Sequence, residues 1–245
     1  MTTRGLPSIT LKALTPAGRE TFITENQRSF NYGALEEFGQ RNADFEEEGQ
    51  IISRATIEDS IDQGQAYQIL AGGRPVGGLV VQVEEDRGTL DLLFIAPEEH
   101  SKGYGQAAWA QVEETYPAVT TWETFTPYFE TRNVHFYVNK LGFEILEFYH
   151  QQHPSPHDGQ KQTGPAPTVS WQDDANTIEE HEDFLFIKNR AGRQASQPAN
   201  TPEPGETVRV EYSDKEQLHQ LINVQKLRAY RYGQEADGSH WLDLV

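Results

Sequence analysis

Between Ala66 and Ala96 the chain runs through three apolar stretches, Ala66–Ala71, Pro75–Glu84 and Thr89–Ala96, separated only by Gly72-Gly73-Arg74 and Glu85-Asp86-Arg87-Gly88. Turns that short send an extended chain back alongside itself, so the segment predicts an antiparallel β-meander. The last run continues through Pro97-Glu98-Glu99-His100-Ser101 into Lys102-Gly103-Tyr104-Gly105-Gln106, where a helix is expected over Gly103–Tyr116. The first turn of a helix leaves about four amide N–H groups without a partner and carries partial positive charge. Glycines at 103 and 105 remove the Cβ atoms that would hold a bulky anion off the backbone. A strand, loop and helix in this order suit a diphosphate; they also fit a glycine-rich turn that binds nothing. A dinucleotide fingerprint is excluded by the missing third glycine and by the meander before it. A P-loop would need Gly-Lys-Ser/Thr after a longer loop.

Around this centre the pattern is mixed α/β. Ser8–Leu14 alternates with Ile9, Leu11 and Ala13 on one face and predicts a strand. Thr15 then stands as N-cap with Pro16 at the first helical position, and helical spacing continues through Phe22, Ile23 and Phe30. A weaker helical stretch covers Ala34–Phe45, and Ile57–Gln63 forms a short helix capped by Thr56. Beyond the meander the reading is a strand over Val119–Phe125, a helix over Arg132–Leu141 stopped by Gly142, and strands over Phe143–Tyr149 and Phe184–Lys188. His150–Glu182, rich in Gln, Pro, His and Asp, reads as a long irregular loop with Val169–Trp171 as an ordered patch, and Ala191–Glu206 as a linker. Thr207–Tyr212 alternates as a strand, Ser213-Asp214-Lys215-Glu216 is a capping box opening a helix through Leu218, Leu221, Ile222 and Tyr230, and Trp241–Val245 forms a last strand. The expected organisation is a domain over 1–190, a linker over 191–206 and a small strand–helix extension over 207–245.

Composition removes several classes of chemistry. The 245 residues include no cysteine, so disulfides, thiolate metal sites and a cysteine nucleophile are excluded. With 38 acidic against 20 basic residues the net charge is −18, which repels nucleic-acid phosphates and anionic lipid and favours cationic small molecules or basic peptides; the same charge also serves solubility alone. No apolar run approaches the ~20 residues of a membrane span, and Met1-Thr-Thr-Arg-Gly-Leu-Pro lacks a signal-like core, so a cytoplasmic protein without membrane or nucleic-acid partners is expected. His150, His153 and His157 have a spacing compatible with metal but lie in a Pro-rich stretch without a scaffold, and no metal is expected there.

His100-Ser101-Lys102-Gly103-Tyr104-Gly105 resembles the diphosphate loop of the GNAT N-acetyltransferase superfamily, Gln/Arg-x-x-Gly-x-Gly/Ala, with His100 in the first position. Asn133-Val134-His135-Phe136-Tyr137, followed by Leu141-Gly142-Phe143, resembles that family's second signature, and Thr126–Arg132 is similar to one bacterial branch. The resemblance covers about residues 8–190 and is clearest from 89 to 149. It implies a central, mixed, mostly antiparallel twisted sheet flanked by helices, with residues 207–245 as an extension. It also implies acetyl-CoA as donor and a primary amine of a small molecule or peptide as acceptor, acylated by direct attack. By the same resemblance the main chain of Leu93, Phe94 and Ile95 would pair with the pantetheine arm like an added strand. Ser101, Lys102, Gly103, Tyr104, Gly105 and Gln106 would hold the diphosphate, with Lys102 adding charge. Asn133 would bond the pantetheine arm or orient its helix, and Tyr137 would protonate the leaving thiolate. A phenol near pKa ~10 carries a proton at neutral pH; Tyr137 also suits a core position against Phe136 and Phe143.

An attacking amine must be neutral, so a carboxylate or a water should take its proton. Asp91, expected on the strand face of Leu93 and Ile95, and Glu123, on the strand after the helix, are the two candidates, with Glu123 preferred. Each also suits a solvated or ion-paired position. The acceptor side would be formed by Phe22–Asp62 and His150–Glu182. There Glu36, Glu37, Asp44, Glu46, Glu47 and Glu48 are interleaved with Phe30, Tyr32, Phe38 and Phe45, which suits a polyamine or hydrophobic cation or else a solvated acidic face. Two other readings remain open: a non-catalytic CoA-binding module acting through a protein partner, and an extension that completes a homodimer interface.

Overall fold

The computed structural model describes residues 5–38, 50–155, 182–190 and 207–245. Residues 156–181, with the expected patch at Val169–Trp171, the linker at 191–206 and the end of the predicted Ala34–Phe45 helix lie outside them. The described residues form two compact units that divide after Val119.

The first unit contains β1 (Thr10–Ala13), α1 (Arg19–Phe38), α2 (Arg54–Gln63), β2 (Gln65–Ala71), β3 (Arg74–Glu84), β4 (Arg87–Ile95) and α3 (Tyr104–Thr115). Its strands run in the order β1-β2-β3-β4, every pair antiparallel, so the predicted meander is present with β1 added at its edge. Pro16 opens a single 3₁₀ turn ahead of α1, but the Thr15 side chain caps nothing. The cap of α2 lies earlier than expected: Ser53 Oγ, not Thr56, accepts the Thr56 amide at 3.0 Å, and the helix begins at Arg54. Phe22 and Ile23 of α1 and Ile57 of α2 pack with Val80, Leu92 and Phe94 of the sheet. A Cβ at Gly78 would stand 2.3 Å from the Phe22 ring, so glycine is what lets Phe22 meet Phe94 edge-on at 5.0 Å.

The second unit contains β5 (Thr121–Pro127), α4 (Thr131–His135), β6 (Glu144–Tyr149), β7 (Asp183–Asn189), β8 (Val208–Glu211), α5 (Lys215–Leu218), β9 (Ala229–Gln234) and β10 (His240–Leu244). Both helices widen into π-helical turns, over Phe136–Leu141 after α4 and over His219–Val224 after α5. Gly142, at φ 75°, ends the first. The strand order is β5-β7-β6-β9-β10-β8, with β7 inserted between its two predecessors. Trp122, Phe143, Ile145, Phe148, Phe184 and Phe186 are fully buried at its centre. Two expectations for the extension are corrected. Asp214, not Ser213, caps α5 by accepting the Gln217 amide at 3.0 Å. Tyr230 lies in β9 rather than at the end of a helix, because the helical turn ends near Val224 and the chain reverses to pair with β10.

Residues 207–245 pack into this unit through paired amides. Strands β6 and β9 share only the Ile145–Ala229 pair. Beyond it each backbone edge is met by an asparagine from the other side. Asn223 accepts the Phe148 amide at 2.9 Å and donates to the Phe148 carbonyl at 2.6 Å. Asn139 accepts the Tyr232 amide at 3.1 Å and donates to the Tyr232 carbonyl at 2.6 Å. Tyr128 and Tyr212 stack at 4.7 Å, each hydroxyl donating to the other's main-chain carbonyl.

A histidine pair lies beside Asn223. His150 Nδ1 accepts the Gln152 amide, which places the proton on Nε2, and that nitrogen donates to His219 Nδ1 at 2.8 Å; Asn223 donates to the same nitrogen at 2.9 Å. His150 is held below its ordinary pKa by burial first, then by His219, His153 and Lys215. Glu147, paired with His153 at 3.0 Å and Lys226 at 2.9 Å, and Glu182, paired with Lys215 at 2.8 Å, are the neighbouring acids. A histidine whose folded pKa is depressed stabilises the fold above its unfolded value and less so below it. The Phe148 amide should therefore exchange with deuterium faster as pH falls below about 6.5, after correction for intrinsic exchange. His150→Gln should flatten that dependence, and an unchanged pH dependence in His150→Gln would remove the histidine from the explanation.

Candidate functional site

The loop after β4 leads into α3. Ser101 and Gly103 both adopt left-handed conformations, at φ 60° and 82°, and Gly103 serves as N-cap of α3. The Gly103 carbonyl accepts the Ala107 amide at 3.0 Å. The amides of Ser101, Lys102, Gly103, Tyr104 and Gly105 donate to no acceptor among the described residues. Five donors in sequence thus lie at the positive end of a twelve-residue helix, an arrangement that suits an anion. Gln106 continues α3 and is half-buried.

The charged side chains of this loop are tied to one another. Glu99 is nearly buried and accepts from Arg74 at 2.7 Å and Lys102 at 2.9 Å. Those two cations hold its carboxyl down to about 2. Lys102 Nζ also donates to the Glu98 carbonyl at 3.0 Å, so the Lys102 ammonium is engaged by its own loop and what it offers an anion is its main-chain amide. Arg28 is similarly occupied by Glu25 and Glu98. His100 stands where the resembling pattern has Gln or Arg. Its Nε2 lies 2.8 Å from the Ile95 carbonyl, against the edge of Tyr32, tying the loop to the end of β4.

Leu93, Phe94 and Ile95 pair on one side with Leu79, Gly78 and Gly77 of β3. Asp91 departs from its expected position. The register slips so that Val80 pairs with Leu92 and Val81 with Leu90, leaving Asp91 in a bulge. Its carboxylate accepts from Ser60 of α2 and, at 3.4 Å, from Gln82. It therefore faces the helix whose Ile57 packs with Leu92 and Phe94, not the face of Leu93 and Ile95. Ser60 is buried, as is Asn26 of α1, whose side-chain amide has no partner among the described residues. Both lie in the segment expected to form the acceptor side, and neither has a neighbour in sequence that marks it.

In the second unit Tyr137 begins the π-helical turn. Its ring packs with Phe186 at 5.3 Å, Phe136 at 5.7 Å and Phe143 at 5.9 Å, and 8% of the residue is exposed. Burial pushes its hydroxyl up to about 12, and a hydrogen bond from Thr124 of β5 partly offsets that rise. Asn133, one turn earlier, donates to Thr126 Oγ1 at 3.2 Å. Thr124 and Thr126 are buried on the inner face of β5, whereas Glu123 alternates to the other face. Among the described residues no group of three or more His, Asp or Glu side chains is placed to hold a metal, and no helix is long and apolar enough to cross a membrane.

A family model described as the acetyltransferase (GNAT) family matches residues 25–143. The uncharacterized protein YrkN of Bacillus subtilis (strain 168) is 36% identical over 192 residues, covering 77% of this chain and 97% of that protein. The crystal structure of the ribosomal-protein-S18-alanine N-acetyltransferase from Escherichia coli aligns with a TM-score of 0.50 at 13% identity, over 78% of this chain and 99% of the other. A GNAT family acetyltransferase from Elizabethkingia anophelis, solved with acetyl-CoA bound, aligns at 0.48 and 16% identity over 74% and 98% of the respective chains.

Proposed function

The chain belongs to the GNAT acetyltransferase family, and from that premise we propose that it moves the acetyl group of acetyl-CoA to a primary amine of a small molecule or peptide by direct attack. The observation that carries this reading is the row of five amides at Ser101–Gly105 that have no acceptor among the described residues. These donors would grip the diphosphate of the donor without help from side-chain charge, since the Lys102 and Arg74 cations are held by Glu99. The main chain of Leu93, Phe94 and Ile95 would run beside the pantetheine arm.

In the proposed step the amine nitrogen forms a bond to the thioester carbonyl. The tetrahedral intermediate then expels sulfur: the C–S bond breaks, its electron pair goes to sulfur, and sulfur takes the Tyr137 proton. The extra proton on nitrogen leaves to a carboxylate or to water, and solvent reprotonates the phenolate. Asp91 is the better-supported carboxylate, because Ser60 and Gln82 hold it in a defined position, whereas Glu123 lies on the opposite face of β5 from the Thr124 hydroxyl that meets Tyr137. Asn133 is a helix-orienting residue in this reading, through its bond to Thr126.

Two measurements test the proposal together. Calorimetry should show CoA binding that weakens by about tenfold or more when Gly105 is replaced by Val, because a branched side chain at this buried first-turn position would displace the amides. CoA release should be catalysed in a panel containing spermidine, tyramine and a peptide with a free amino terminus. No affinity for CoA would sink the reading at its root. Tight CoA binding with no turnover on any amine would favour the CoA-binding module.

A further inference from the structure

We infer that Thr124 is a positioning residue for the Tyr137 hydroxyl, fixing where the leaving-group proton is delivered; this rests on the role proposed above for Tyr137. The placement follows from two repeats that match. One turn of helix advances about 5.4 Å, and two residues of strand advance about 6.6 Å. Asn133 and Tyr137 are one turn apart on α4 and its π-helical continuation, and Thr126 and Thr124 are two residues apart on the inner face of β5. The result is two rungs: Asn133 on Thr126 at 3.2 Å, and Tyr137 on Thr124. Only 1% of Thr124 is exposed, so its hydroxyl is spent inside the protein rather than on solvent.

The chemistry gives that hydroxyl a use beyond packing. When Tyr137 gives up its proton, a phenolate is left in an apolar surround of Phe136, Phe143 and Phe186. An uncompensated anion there is costly. A Thr124 O–H donating to the phenolate oxygen strengthens as the charge forms, which is the condition for accelerating the step rather than merely binding the ground state.

The test is a set of variants in the full chain, assayed with acetyl-CoA and whichever panel amine turns over fastest. Thr124→Val keeps the shape and removes the hydroxyl. It should lower kcat by about 10- to 100-fold, the worth of one hydrogen bond to a charged group, with KM for acetyl-CoA within about twofold. Thr124→Ser should restore most of the rate. In a Tyr137→Phe background Thr124→Val should cost nothing further, because the two act as one unit. Wild-type kcat in Thr124→Val, alongside a slow Tyr137→Phe, would overturn this inference and leave the acid role standing. So would fully additive losses in the double variant, or failure of a folded Thr124→Ser to recover rate. A fully active Tyr137→Phe, or a wild-type chain that turns over no amine, would instead remove the acid reading and this inference with it.

Discussion

Replacing Tyr137 by Phe should cut kcat by about 100- to 10,000-fold, the usual worth of a positioned acid, and leave the dissociation constant of CoA unchanged within about twofold. The two expectations separate because the oxygen lost is not among the proposed diphosphate donors, the amides of residues 101–105. The ring itself should stay. Phe186, Phe136 and Phe143 surround it, and phenylalanine fills the same volume. Removing the hydroxyl also leaves Thr124 with one bond fewer, a cost to stability of about 1 kcal/mol that a denaturant melt would detect. The elevated hydroxyl, at about 12, sharpens the case. A phenol whose folded pKa lies above its unfolded value of about 10 is stabilising below pH 10, and that contribution is lost as pH rises toward 12. The acid therefore keeps its proton through the whole neutral range, and kcat should show no alkaline fall from this group below pH about 9. A Tyr137→Phe enzyme with undiminished kcat would exclude the residue from proton transfer.

Much of the first unit was readable because its signals are local. The turns at Gly72-Gly73 and Glu85–Gly88 are too short for anything but hairpins, and the left-handed glycine at 103 is what a tight entry into α3 requires. The bulge at Asp91 was not readable. The run Leu90-Asp91-Leu92-Leu93-Phe94 alternates as a regular strand would, and the slip exists only relative to β3. The engagement of Lys102 was hidden for a related reason: its partner Glu99 is three residues away, but Arg74 comes from another strand, and the triad forms only when the sheet does. In the second unit, helix and strand positions around Gly142 followed the pattern, yet neither π-helical turn has a side-chain signature. The motif singles out Tyr137 and Asn133 but not Thr124 and Thr126 beside them, because polar residues at inward positions of β5 contradict the pattern that identifies an inward face.

Removing residues 207–245 should unfold the second unit rather than trim an ornament from it. The segment contributes Val210, Leu218, Ile222, Ala229, Leu242 and Leu244, all 1% exposed or less, and a chain ending at residue 206 would present their former partners to water. Its three strands also occupy the far side of β6. A β6 edge stripped of them would carry unpaired backbone groups, a template for aggregation. The point substitution isolates the polar part of this argument. Asn223→Leu keeps a similar volume while taking both bonds from Phe148, leaving a buried N–H and C=O unsatisfied together with the His219 contact. The expected loss is about 2–4 kcal/mol, seen as a lower urea midpoint at unchanged slope. Asn139→Leu should cost less, about 1 kcal/mol, because Asn139 is exposed and water can replace it at Tyr232. If the truncated chain instead stays soluble, melts cooperatively at the parent temperature and keeps CoA-dependent turnover, the extension is an attachment and the asparagine pair only decorates its seam.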